Sequence, residues 1–301
     1  MNYKTPIVFF AVLILQGTLI PVMDYGAALS MENDFLEDET SLLLDGDDDG
    51  YIVREPLRIN GNSDFVAQAT AEGWSGDGTE GNPYIIEGYE INGTSHGHGI
   101  DISNTNVHFV IRNCYVYNVS KEDSGSFRHK SGIYLYKVKN GLVENNVLLN
   151  NTFSIHLDGS NNNVIDSNMI STPHIGILSR RYDQIIINNN SISYSLIHRS
   201  YGYGLDGISI SSTLASNHYT ITNNNILPRF QVGISITLDF DDEMDFVIEN
   251  NTFENVSEEI NVGYASPSSS SIGFAFATVA ILTALCFTWK KKRRYKGDGS
   301  T

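Results

Sequence analysis

The sequence predicts an all-β solenoid of about seven coils, closed at its N-terminal end by a short helix and followed by a membrane-spanning segment. Three observations predict it. A phrase of the form aliphatic-x-x-Asn-x-aliphatic recurs at 143–148, 165–170, 187–192, 221–226 and 248–253, the first three copies 22 residues apart. Two earlier copies, 86–91 and 111–116, carry Tyr89 and Cys114 in place of the Asn. From the second copy onward each is preceded by a Gly-Ile-x-Ile/Leu phrase or a close relative, at 99–102, 132–135, 154–157, 176–179, 207–210 and 233–236, and no helix-length segment lies between them.

The two ends of the 301-residue chain stand apart from this repeat. Residues 1–30 run from Lys4 through an apolar stretch to "GAALS", the order of a secretory signal peptide. Residues 31–53 form an acidic linker, expected to be flexible. Within it Asp45, Asp47 and Asp49 open a phrase like a calcium loop, but Pro56 stands at the twelfth position, where a bidentate Glu is needed. Calcium is therefore the one cofactor the sequence leaves open, and a solvated acidic segment accounts equally for those aspartates. At the other end, the Ser-rich stalk 263–271 leads into 272–289, 18 residues without a charge. At about 1.5 Å per residue such a helix spans roughly 27 Å, enough for a bilayer core. The tail 290–301 opens with six Lys and Arg residues, which positions it on the cytoplasmic side. The expected topology is single-pass type I at the cell membrane, with the repeat domain, 54–262, outside.

Each coil follows from its residues. Aliphatics at alternate positions face one interior, and Gly or Asn takes the corners. Asn tolerates the left-handed region, and its amide can bond an Asn one coil away, about 4.8 Å along the stack. Asn146, Asn168, Asn190, Asn224 and Asn251 are thus expected to form a ladder, with Cys114 in the same column as a buried thiol. Residues 62–74 read as an amphipathic helix covering the open end, because a bare stack would expose an aggregation template.

The repeat "GIYLYKVKNGLVENNVLLNN" and its sisters, together with the lead-in 56–93, resemble the pectin-lyase-like superfamily, nearest its NosD-type, carbohydrate-binding and sugar-hydrolase group common in archaeal surface proteins. The resemblance covers roughly 54–262. It implies a single-stranded, right-handed parallel β-helix; it does not imply one function, because this fold hosts lyases, hydrolases, adhesins and scaffolds.

Charge and loop lengths narrow the function. Residues 31–264 hold 12 basic and 33 acidic residues, which excludes nucleic acid as a partner. The connections from Val116 to Gly132 and from Ile192 to Gly207 are 16 and 15 positions long, against 6 for the two between them. Both leave the same corner, three coils apart, and are expected to wall a binding face. They carry Arg128 and His129 in one, Tyr201 and Tyr203 in the other. Outward positions of the strand that opens each coil align in two columns, Asp101, Tyr134, His156, Leu178 and Ser103, Tyr136, Asp158, Arg180, with Arg181 beside them. Aromatic faces bordered by polar groups suit sugars, so glycans or cell-surface proteins are the expected partners. Opposite charges stacked for solubility would give the same columns without a ligand. A lyase or hydrolase using His156, Asp158 and Arg180 is the alternative; for it the central coils offer only Asp158 and Asp183 next to two arginines, and no family catalytic motif is present. The pair His96 and His98 offers copper no further ligands of its usual kind. Six sequons begin at Asn92, Asn118, Asn150, Asn189, Asn250 and Asn255 and mark glycosylation candidates.

Overall fold

The computed structural model describes residues 50–264, apart from 95, 120–129, 182–183, 196–204, 212–216 and 239–243. Three parallel sheets wrap one core, and every strand pairs with the strand three places before or after it. Sheet I has eight strands: Leu57–Asn60, His98–Ser103, Ser131–Tyr136, Phe153–Asp158, Ile175–Arg180, Asp206–Ser211, Val232–Leu238 and Glu258–Tyr264. Sheet II has seven, from Tyr84–Glu87 to Met244–Glu249, and sheet III has eight, from Ile52–Arg54 to Thr252–Phe253. The first strand of sheet III, paired through Ile52 and Tyr89, begins inside the stretch expected to be a linker, so the folded domain starts before residue 54.

The core is built of stacked columns. In sheet I, Ile100, Ile133, Ile155, Ile177, Ile208 and Ile234 lie in register and are all fully buried. Burial of each such side chain contributes roughly 1.5–3 kcal/mol. The residue before each isoleucine is Gly in five of these six coils because successive chains approach closely there: a Cβ on Gly176 would lie 2.6 Å from the Gly207 carbonyl oxygen and 2.5 Å from an Ile192 methyl.

The paired asparagines divide two tasks at the corner between sheets II and III. The first of each pair takes positive φ: Asn145 (54°), Asn189 (55°), Asn223 (57°) and Asn250 (56°), with Ser167 (56°) in the same column. The second turns inward. Asn146 Nδ2 donates to Asn168 Oδ1 at 3.0 Å, Asn168 to Asn190 at 3.0 Å, Asn190 to Asn224 at 3.0 Å and Asn224 to Asn251 at 2.9 Å. Each Oδ1 also accepts the backbone N–H of the Asn one coil earlier, and each Nδ2 donates to a core-strand carbonyl such as Val143 O. The polar groups of a sharp turn are thereby satisfied inside the core. Cys114 continues the column: its N–H donates to Asn146 Oδ1, and burial pushes its thiol up to about 11.

Helix α1, Asn62–Glu72, closes the N-terminal end. Its Phe65 is fully buried and stacks on Tyr84 at 5.4 Å, packing also against Phe109 and Trp74. The helix stops at Gly73, whose φ of 71° is the left-handed cap that lets its N–H return to Ala69. The opposite end has no such cover among the described residues, so Val262 in the last strand of sheet I is 39 % exposed. No described helix is long and apolar enough to cross a membrane. The segments read as signal peptide, membrane span and tail lie outside the described residues, as do Asp45, Asp47, Asp49 and the stalk from residue 265 on; Gly263 and Tyr264, read as the start of the stalk, instead extend the last strand of sheet I.

Candidate functional site

The outward face of sheet I carries three columns, set by the register of its strands. The first runs His98, Ser131, Phe153, Ile175, Asp206; the second Asp101, Tyr134, His156, Leu178, Ser209; the third Ser103, Tyr136, Asp158, Arg180, Ser211. The second and third contain the two columns read from the sequence. The first was missed, though the aromatic Phe153 three positions before His156 is its visible trace.

Aromatic rings bind the columns together. His98 stacks on Tyr134 at 4.4 Å and 9°, Tyr134 on Tyr136 at 6.2 Å and 17°, and His156 packs against both Tyr134 (5.0 Å) and Phe153 (5.6 Å). Phe153 meets His174 at 5.3 Å, and Phe153, Ile175 and Leu178 form a small hydrophobic cluster of their own. The expectation of solvated side chains fails at the centre of this face. His156 and Asp158 are each 1 % exposed, and Tyr134 and Leu178 are buried. Large rings on neighbouring strands shield one another where small polar residues would leave water between them. Tyr136 and Arg180 are half-buried, and Lys137 is exposed at the rim.

Electrostatics distinguish the polar members. Arg181, in the left-handed region (φ 75°), folds back so that Nε and Nη2 both donate to the Asp158 carboxylate, Nε at 2.7 Å. The carboxylate is buried and the guanidinium half-exposed, so the ion pair offsets the charge of Asp158 within the face. Burial pushes the Tyr134 hydroxyl upward, with Asp158 and Asp101 adding to the effect. Burial alone depresses His174 to about 4, so it is neutral at pH 7. Asp206 is raised by burial against the lowering effect of Ser209 and Ser235.

The face brings together Tyr134, Tyr136, His156, Asp158, Arg180 and Arg181. Arg128, His129, Tyr201, Tyr203 and Asp183 lie outside the described residues. The two long connections do leave one corner, between Tyr115–Tyr117 and Ser131–Tyr136 and between Ser191–Tyr194 and Asp206–Ser211, joining sheet III to sheet I. His96 and His98 are engaged separately: Nδ1 of His96 lies 2.9 Å from the Thr94 carbonyl while His98 stacks on Tyr134. Among the described residues no three His, Cys, Asp or Glu side chains gather as a metal site. Of the sequon asparagines, Asn92, Asn189, Asn250 and Asn255 are exposed and Asn118 is half-buried. Asn150 is buried and its Oδ1 accepts from Ser195 at 2.6 Å, so the folded domain does not present it.

The sequence matches the family described as right handed beta helix region over residues 98–276, more than half of the chain. The protein therefore belongs to the right-handed β-helix family, and three parallel sheets wound as one coil are its expected architecture. No curated protein matches the sequence. Among solved structures, the surface protein and adhesin PfbA of Streptococcus pneumoniae is similar over 64 % of this chain and 54 % of its own, at 14 % identity and a TM-score of 0.34. The chain thus spans about half the length of that structure.

Proposed function

We propose that this protein is a membrane-anchored, extracellular binding protein that holds glycans or cell-surface partners on the outward face of sheet I without transforming them. The observation that carries the reading is the ring cluster in which buried Tyr134, His156 and Phe153 support the half-buried rings of His98 and Tyr136, bordered by Asp101, Ser103 and Arg180. Ring faces take the apolar side of a sugar, and the polar border takes its hydroxyl edges. The bidentate Arg181 on Asp158 weighs against the lyase or hydrolase alternative, because the central carboxylate is already committed. Anchoring by 272–289 and export by 1–30 rest on the composition of those segments. The test is equilibrium binding of the full-length chain, held in detergent micelles, to a panel of neutral and acidic polysaccharides. Tyr136→Ala is expected to weaken retention at least tenfold with the circular dichroism unchanged. Equal retention by the variant would remove Tyr136 from the site.

A further inference from the structure

At the corner between sheets I and II, beside Tyr136, lies a depression lined by Asn62, Asn104, Thr105, Asn106, Lys137 and Lys139. No carboxylate lines it. That is unexpected in a chain with a net charge of −16, in which four described arginines each have a carboxylate partner. Arg54 pairs with Glu72, Arg58 with Asp101, Arg112 with Glu87 and Arg181 with Asp158. Lys137 and Lys139 are exposed and pair with no carboxylate among the described residues; Lys137 Nζ instead sits 5.1 Å from the centre of the Tyr136 ring.

The neutral groups of the depression are unbalanced in the same direction. Asn62 Oδ1 already accepts from the Thr105 hydroxyl (2.8 Å) and the Asn106 N–H (3.1 Å), and Asn106 Oδ1 accepts from Asn62 Nδ2 (2.7 Å). Two of the three amide oxygens are thus occupied. On the donor side, Asn62 and Asn104 each spend one amide proton, the latter on Asn60, and Asn106 Nδ2 donates to no protein group among the described residues. Two ammonium groups and several unspent amide protons thus outnumber the one amide oxygen, that of Asn104, left without a donor among the described residues. Such a surface matches a ligand that only accepts hydrogen bonds and carries negative charge.

We propose that this depression binds an oxyanion group, a sulfate or phosphate ester or a carboxylate, through Lys137 and Lys139 with Asn106 as a neutral donor. The edge continues the same way: Arg180, two coils along and so about 9.6 Å away, also pairs with no carboxylate among the described residues. The inference rests on the glycan reading only in taking the oxyanion to be a substituent of the sugar held at Tyr136.

The test uses the full-length chain in nonionic detergent, with calorimetric titration of a sulfated oligosaccharide and of its unsulfated counterpart at low salt, and inorganic sulfate as competitor. Lys137→Gln with Lys139→Gln is expected to weaken the sulfated ligand at least tenfold and leave the neutral one unchanged, while Arg112→Gln, on sheet II, changes neither. Inorganic sulfate is expected to displace the sulfated ligand from wild type. Equal affinity of wild type and double variant, or no displacement by sulfate, would overturn the proposal. If the neutral ligand fails to bind anywhere while sulfate still binds and the lysine variant loses it, the oxyanion site stands and the glycan reading fails.

Discussion

Asn168 shows what one residue does in this fold. Its Nδ2 donates to Val143 O, Asp166 O and Asn190 Oδ1, and its Oδ1 accepts twice from Asn146, all inside the core. Asn168→Ala leaves buried backbone groups without partners, and at about 1–3 kcal/mol for each unsatisfied group it is expected to cost roughly 3 kcal/mol. Its neighbour Ser167 occupies a left-handed position where the other described coils place Asn or Gly. Ser167→Gly is expected to stabilise by about 0.5–1 kcal/mol, so two adjacent substitutions should move the urea midpoint in opposite directions. The ladder itself was legible in the sequence, since spacing alone aligns the Asn columns. The division of labour within each pair was not, because both asparagines look alike until backbone angles assign them.

His174 makes a second statement at this scale. Its folded-state value of about 4 lies below the ordinary 6.5, so the unfolded chain takes up the proton first as pH falls. The neutral ring costs nothing extra above pH 6.5; stability is then lost progressively between 6.5 and 4, by up to about 3 kcal/mol. Unfolding free energies of His174→Gln measured across that window are expected to show a shallower slope than wild type. Identical slopes would assign the acid sensitivity elsewhere.

At the scale of elements, the strands were readable because alternating aliphatics reveal which face is inside, and the register that aligns Tyr134 with His156 and Tyr136 with Asp158 follows from repeat spacing. Burial of that outward face was not readable. Alternation identifies an outward position as polar by default, and it does not register that Phe153, His156 and Tyr134 cover one another. Arg181's return onto Asp158 was hidden for a similar reason: it depends on a left-handed φ that no sequence pattern marks for arginine. Helix α1 was visible as a capping segment, and its contribution is concentrated in Phe65, which sits among Trp74, Tyr84 and Phe109. Phe65→Ala is expected to destabilise by about 3–5 kcal/mol and to increase aggregation, since the covered end of the stack becomes accessible. Loss of stability without any change in association would show that α1 fills the core but does not shield the edge.

For the whole molecule, the stacked coils give a reason for the proposed recognition to fall on one face. Each coil repeats the last, so a ligand sees chemistry only where the repeat places unlike residues side by side, as it does across His98, Tyr134, Tyr136 and the Lys137–Lys139 corner. The acidic remainder disfavours anions in general, so an oxyanion held at that corner, as proposed, would be selected by position. The most direct measurement pairs binding with turnover: the full-length protein and its Tyr136→Ala and Asp158→Ala variants are incubated with the polysaccharide panel, scoring retention and shortened or unsaturated products by mass spectrometry. A binding protein is expected to retain at least one glycan, to lose it with Tyr136→Ala, and to yield no products. Products that form with the wild type and vanish with Asp158→Ala would make this an enzyme and contradict the account.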